Sequence, residues 1–385
     1  MADAVIVGGG IGGLATALTL MDIGYDVRVL ERAPSIGEVG AGIQISANGY
    51  RVLERIGVAA HLREVAYQPE VIEMRMGQSG RRLVTIPMGA TATARWGAPY
   101  LQVHRADLID VLRAAVEERD PGAIRTAAEV TGIDQASDRI AAVMSDGTAI
   151  AGDILIGADG LRSVVRREMF GIDAPEFTGV VAWRTTAPRA ALGDVDLPNG
   201  ACIWTGPDRH AVTYPVRGGE MINFVGMIEG DDWRGEGWSE PGARTDLVAH
   251  FAGWAEPLQA VIRAADDPFR WALFSRAPLP AWSSGRAVLL GDACHPMLPS
   301  LAQGACQALE DAAALADALS AAVPEAAFDT YFNRRSARAA RVQREARANL
   351  RRFHWSSDLQ SLPVRILAAI APGWFHRRLD WLYRG

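Results

Sequence analysis

The first thirty-two residues constrain the fold more tightly than any other stretch. Ala4-Val5-Ile6-Val7 is a short apolar run with β-branched members, the pattern of a buried strand. It runs into Gly8-Gly9-Gly10-Ile11-Gly12-Gly13, and Leu14 to Met21 follows as an Ala- and Leu-rich helix. Val27 to Leu30 reads as a second strand, ending on Glu31-Arg32. Gly8, Gly10 and Gly13 hold the G-x-G-x-x-G spacing inside a β-α-β unit. In that setting Gly8 allows a tight turn, Gly10 lets backbone approach a pyrophosphate, and Gly13 lets helix and strand pack closely. The helix N-terminus offers N–H groups to phosphate, and Glu31 offers a carboxylate to a ribose diol. The stretch is not expected to be a signal peptide or a membrane span, since no basic n-region precedes it and the positions in its middle are nearly all Gly.

Composition removes several function classes. A net charge of −6 gives no reason to expect nucleic acid as a partner. All 39 basic residues are Arg, so Schiff-base chemistry and any catalytic lysine are out of reach. Cys202, Cys294 and Cys306 form no close pair, which argues against a disulfide framework or a zinc site and suits a reducing cytoplasm. No stretch is long and apolar enough to suggest a membrane span. At 385 residues the chain is expected to fold as two lobes.

Two more strand-to-loop junctions follow, at Asp153 to Gly160 and at Ala287 to Asp292. Together with the first they predict a parallel sheet with a ligand across its carboxyl ends. The strand at Asp153 is expected to lead into a helix opening at Leu161. Alternating runs at 71–76 and 81–87, and then at 180–185, 201–204, 210–215 and 221–227, predict a second, mostly antiparallel sheet. The fold class is therefore α/β, a Rossmann-like nucleotide domain with an interleaved, mostly antiparallel sheet domain and C-terminal helices. The expected boundaries are 1–70, 100–178 and 276–335 for the nucleotide domain, 71–99 and 179–275 for the sheet domain, and 336–385 for the helical segment. Arg335, Arg338, Arg341 and Arg344 read as a solvated helix stripe. The aromatic-rich segment beyond Ile366 is expected to dock on the core or on a dimer partner rather than on a membrane.

The chain resembles the single-component FAD-dependent aromatic hydroxylases. The resemblance rests on G-G-G-I-G-G from Gly8, A-D-G-L-R-S-V-V-R from Ala158, and G-D-A-C-H-P-M-L-P-S-L-A-Q-G-A-C-Q-A-L-E-D from Gly291 to Asp311. Within the family it is similar to the branch of salicylate hydroxylase, 3-hydroxybenzoate 6-hydroxylase and 6-hydroxynicotinate 3-monooxygenase. G-A-G-I-Q from Gly40 and L-D-W-L-Y from Leu379 are shared with that branch. The resemblance implies bound FAD, with NADH or NADPH as co-substrate. Gly8, Gly10, Gly13, Glu31 and Arg32 would hold the adenine side, with Val130 at the adenine. Arg105, in the setting His-Arg-x-Asp-Leu, and Asp292 would hold the middle of the cofactor. Asp159 would serve both FAD and the nicotinamide. Gly304 and Ala305, at a helix start, would face the flavin, and Pro299 the substrate pocket.

The implied reaction is monooxygenation. Reduced flavin takes up O₂ as a flavin hydroperoxide and hydroxylates a small aromatic substrate, hydroxybenzoate-like or hydroxypyridine-like. A phenol reacts better as phenolate, so a nearby base helps. His210 titrates near neutrality, and Tyr214 lies four residues on, on the same strand face. These two are the catalytic candidates. Cys202 just upstream reads as packing. Arg184 and Arg217 are the candidates for clamping a carboxylate. The resemblance is imperfect at Gln44 and Ser300, where the hydroxynicotinate enzymes carry His, and at Pro299, where the 3-hydroxybenzoate enzymes carry Gln. A decarboxylative hydroxylase of a heteroaromatic acid and a flavin-dependent reductase are the alternatives. A flavin halogenase would need the lysine this chain lacks. A homodimer is left open.

Overall fold

A computed structural model describes residues 2–37, 42–136, 138–172, 174–230, 233, 240–354, 358–371 and 373–384. Gly40 and Ala41 of the G-A-G-I-Q run lie outside them. The opening unit forms as the sequence predicts. Strand Asp3–Val7, helix Ile11–Asp22 and strand Asp26–Leu30 build the middle of a six-stranded sheet. Asp3–Val7 pairs in parallel with Asp26–Leu30 on one side and with Ile154–Gly157 on the other. Ala287–Leu289 extends the parallel set beyond Ile154–Gly157. All three strand-to-loop junctions therefore open on the same sheet edge, because parallel neighbours end on the same side. The two inner strands Asp3–Val7 and Ile154–Gly157 are apolar and buried apart from Asp3, as the middle of a parallel sheet is. Helix Gly304–Ala321 packs against Ile11–Asp22, and Thr19 Oγ1 donates to the Ala312 carbonyl at 3.3 Å.

The second sheet has eight strands. In spatial order they are Glu240–Pro241, Phe269–Ser275, Glu176–Pro188, Met221–Glu229, Arg209–Val216, Gly200–Gly206, Val71–Met76 and Arg82–Pro87. Its pairs are antiparallel except that between Gly200–Gly206 and Val71–Met76. Strand alternation gives the sheet two unlike faces. Trp183, Trp204, Phe224, Phe251 and Cys202 lie in one apolar cluster with helices Arg244–His250 and Glu256–Ala264. The opposite face carries His210, Val212 and Tyr214 toward a cavity. Cys202 is thus a packing residue.

The chain finishes in helices Pro324–Phe353, Asp358–Ile370 and Trp374–Tyr383. The last docks on the core of the same chain. Asp380 accepts from Arg95 Nη2 at 2.6 Å and from Trp96 Nε1 at 2.9 Å, while Arg338 donates to the Leu382 carbonyl at 2.6 Å. Among the described residues no helix is long and apolar enough to cross a membrane.

Two expectations are corrected. The arginine stripe is not a solvated face. Arg335 is buried against Asp311 at 2.7 Å, and Arg338 meets Glu310 at 2.7 Å, whereas Arg344 is exposed. At 3.6 residues per turn a spacing of three drifts by about 60° each step, so four such arginines spread over opposite helix sides. The helix expected to open at Leu161 begins instead at Val164 and runs to Phe170. Ser163 is its N-cap, accepting from the Arg166 N–H at 2.8 Å.

Candidate active site

A cavity of about 650 Å³ lies where the parallel-sheet edge meets the face of the second sheet that carries His210 and Tyr214. Gly10 and Gly12, Ala158 and Gly160, and Gly291 and Asp292 line one end of it. His210, Tyr214, Arg184 and the segment 299–303 line the other.

The glycine end is made of backbone. Gly8 has φ +109°, and a Cβ there would stand 2.4 Å from the Ala158 carbonyl oxygen. At Gly13 a Cβ would stand 1.9 Å from the Gly8 carbonyl oxygen, so no side chain fits. At Gly10 nothing lies within 4 Å of that position, so bare backbone faces the cavity. Gly304, the first residue of its helix, is equally open. Glu31 turns back onto this loop, accepting from the Gly9 N–H at 2.7 Å and the Ala33 N–H at 2.9 Å. Arg32 is exposed and Val130 buried, and the structure brings neither to the cavity wall.

Two aspartates end neighbouring strands with different fates. Asp159 spends its carboxylate on the helix that follows it. It accepts from Ser163 Oγ at 2.5 Å and from the N–H groups of Val164 at 2.7 Å and Val165 at 3.1 Å. Asp292 instead opens into the cavity beside Arg105. Burial raises the Asp292 pKa, while His295 and Arg105 pull it the other way. The loop that carries Asp292 is fixed from below. Asp311 accepts from the Gly291 N–H at 3.0 Å and lies 2.5 Å from His295 Nε2, and it is braced by Arg335. Burial works against charge on both members of the pair. Their attraction outweighs it, holding His295 well above and Asp311 below their ordinary ranges. Cys294, His295 and Asp311 have ligand-type atoms within 4.8 Å of one another, but Asp311 is already claimed by Arg335 and the Gly291 N–H.

Arg166 is a residue that sequence reasoning did not single out. Its guanidinium is buried and donates to the Ala293 carbonyl at 3.1 Å, tying the Asp159 junction to the Asp292 loop. The only available signal was its place as the final Arg of the A-D-G-L-R-S-V-V-R motif.

The other end of the cavity is made of side chains. His210 is fully buried on strand Arg209–Val216, and its Nε2 has no hydrogen-bond partner among the described residues. Burial, and secondly the neighbouring His354, hold its pKa well below the ordinary value, so the ring is neutral. Burial drives the Tyr214 pKa up, against Arg184 and a hydrogen bond with Gln44, so Tyr214 keeps its proton. Arg184 stacks over Trp271, its guanidinium carbon 3.9 Å from the ring centroid. Arg217 pairs with Asp107 at 3.2 Å and does not line the cavity. Trp374, Phe375, Leu379 and Tyr383 of the last helix close the wall. No local pattern announced that role, because these residues reach the site only through tertiary docking.

An elongated cavity bounded by a bare-backbone glycine turn and a helix N-terminus fits a dinucleotide, and the room beyond fits a ring substrate. Fold and cavity define a dinucleotide-binding protein with room for a second ligand.

Comparison with known proteins makes this specific. The family described as "FAD binding domain" matches residues 1–346. The chain is 38% identical over 350 residues to 6-hydroxynicotinate 3-monooxygenase of Bordetella bronchiseptica, covering 89% of this chain and 90% of that one. It is 35% identical over 381 residues to 3-hydroxybenzoate 6-hydroxylase of Polaromonas naphthalenivorans, covering 98% and 95%. A salicylate hydroxylase substrate complex superposes with a TM-score of 0.82 at 25% identity, covering 100% of this chain and 95% of that one. The protein belongs to this FAD-binding family and is an FAD-dependent aromatic monooxygenase, with NAD(P)H as co-substrate.

Proposed function

We propose that the protein hydroxylates a small ring bearing an ionisable hydroxyl, a hydroxybenzoate or hydroxypyridine, held between His210, Tyr214 and the loop at Pro299. One observation carries this reading: a buried, neutral imidazole on the cavity wall with an unpartnered Nε2. The named substrates of the relatives, 6-hydroxynicotinate and 3-hydroxybenzoate, both carry such a hydroxyl. The chain is read as one FAD domain, 1–70, 100–178 and 276–335, clasping a substrate sheet, 71–99 and 179–275.

FAD bound here supplies the activation of O₂ and the transfer of one oxygen atom. The protein's residues do the rest. Gly10 presents backbone to the pyrophosphate on the turn that Gly8 and Gly13 allow, and Glu31 holds the ribose. Arg105 and Asp292 hold the middle of the cofactor, and the N–H groups of Gly304 and Ala305 place the positive end of a helix at the ring system. Asp159 works through its helix, setting the junction that abuts the cofactor. His210 Nε2 accepts the substrate hydroxyl's proton, which raises electron density at the ring carbon to be attacked. Tyr214, still protonated, donates a hydrogen bond to the substrate. Trp374 and Phe375 keep water from the ring. Three free cysteines and the nicotinamide supply suit the cytoplasm.

The test is NADH and NADPH oxidation by the FAD-loaded enzyme, screened with 6-hydroxynicotinate, 3-hydroxybenzoate and salicylate. Stimulation by one of these, with hydroxylated product matching NADH consumed, supports the reading. Oxidation indifferent to every phenol sinks the substrate class.

A further inference from the structure

We propose that His354 and Glu229 form a path that carries the ring hydroxyl's proton from His210 to solvent, and that this pair sets the tautomer in which His210 meets the substrate. The proposal rests on the reading of His210 as the base.

The three groups come from two neighbouring strands and one helix end. His210 pairs with Met227 across the sheet. Glu229 is two residues beyond Met227, so it projects from the same cavity-side face. His354 is the C-cap of helix Pro324–Phe353, which ends over that face. His354 Nε2 lies 2.8 Å from His210 Nδ1, and His354 Nδ1 bonds the Glu229 carboxylate. Exposure rises along the series. His210 is 0% exposed, the His354 side chain 5% and the Glu229 side chain 42%. The chain of groups therefore runs from the sealed interior to water.

Its direction follows from donor and acceptor chemistry. An ionised carboxylate only accepts, so His354 Nδ1 must carry the hydrogen. With the Nε2 of His354 bare, His210 donates to it from Nδ1. That leaves the lone pair of His210 on Nε2, the atom without a partner on the cavity wall. A carboxylate two groups away thus fixes the tautomer a base needs.

The transfer balances. The substrate O–H breaks and an N–H forms at His210 Nε2, while the oxygen keeps the electron pair. The Nδ1–H of His210 breaks as an N–H forms at His354 Nε2. The Nδ1–H of His354 breaks as an O–H forms on Glu229, which releases the proton to water. No electrons change hands. Run backwards, the same path returns a proton to the product's oxygen and restores both starting tautomers. The arrangement also answers an energetic problem, because a lasting imidazolium at His210 is disfavoured by complete burial. Passing the proton on removes the need to hold it.

Two measurements test the proposal. In FAD-loaded enzyme labelled with ¹⁵N-histidine, near neutral pH and with no aromatic present, His210 should carry hydrogen on Nδ1 alone, facing a bare Nε2 of His354. Hydrogen on Nε2 of His210, or a charged His210, overturns it. This arm needs no substrate, so it decides the relay even if the phenol screen fails. The second arm uses His354→Ala with the phenol that stimulates NADH oxidation. The expected result is a fall in kcat of at least about tenfold, with KM and FAD content within about twofold. Free imidazole should restore the rate and N-methylimidazole, which has no N–H to pass on, should not. Equal rescue by both, or no fall in kcat, shows that His354 only fills space. Glu229→Gln should lower kcat in the same direction, and an unchanged rate removes Glu229 from the path.

Discussion

The two ends of the cavity are built from different materials. The nucleotide end is backbone: glycines that admit no Cβ, a bare helix start, and strand ends brought into line by parallel pairing. The ring end is side chain: His210, Tyr214 and Arg184 from one sheet, and Trp374 and Phe375 from a helix more than 140 residues later in the chain. A backbone site is set by steric prohibition, so it tolerates almost no substitution. A side-chain site can be retuned one residue at a time while its frame stands. That division suits an enzyme family that keeps one cofactor and changes its substrates.

The comparison breaks most readily at Gly13. Gly13→Ala places a Cβ on the Gly8 carbonyl and should cost ~4 kcal/mol or more, with loss of FAD, read from the flavin-to-protein ratio and the melting temperature. His210→Asn should do the reverse. FAD and stability should persist while hydroxylation falls by ~10²–10⁴-fold, seen as product formed per enzyme. If flavin were lost with it, the two ends would not be separable.

Asp311→Asn tests what lies beneath both ends. Removing one partner of a buried ion network should cost ~3–5 kcal/mol. It should also flatten the pH dependence of stability. His295 is held above its unfolded value of 6.5, so its contribution is full below that pH and is lost as pH rises through the folded value. Asp311 is held below its unfolded value of 3.8, so its contribution is full above that pH and is lost as pH falls through the folded value. Melting temperatures across pH should lose both slopes in the variant. Unchanged slopes would mean that other groups carry them. At the small end, Arg344→Ala should change stability by no more than about 0.5 kcal/mol, in contrast to its helix neighbour Arg335.

This contrast also explains what could be read from the sequence. The glycine cradle was legible because its rule is local: a strand, a turn that only glycine can make, and a helix. His210 and Tyr214 were legible by strand alternation joined to a family resemblance. Asp159 illustrates the limit. Its motif predicts cofactor contact, but whether a carboxylate faces a ligand or caps its own helix is decided by a few ångströms of loop geometry. Arg335 was misread because a spacing of three looks like one face and is not. Trp374 was legible only as part of a docking segment and His354 gave no signal at all, since each acts where the chain returns from far away.

The position of the final helix has a consequence for how the protein comes into being. Synthesis runs from the N-terminus, and the walls of the nucleotide end are complete once residue 308 has emerged. The aromatic wall at Trp374, Phe375, Leu379 and Tyr383, latched by Asp380 to Arg95, arrives only afterwards. The glycine end of the cavity is therefore older, in the life of each molecule, than its aromatic wall.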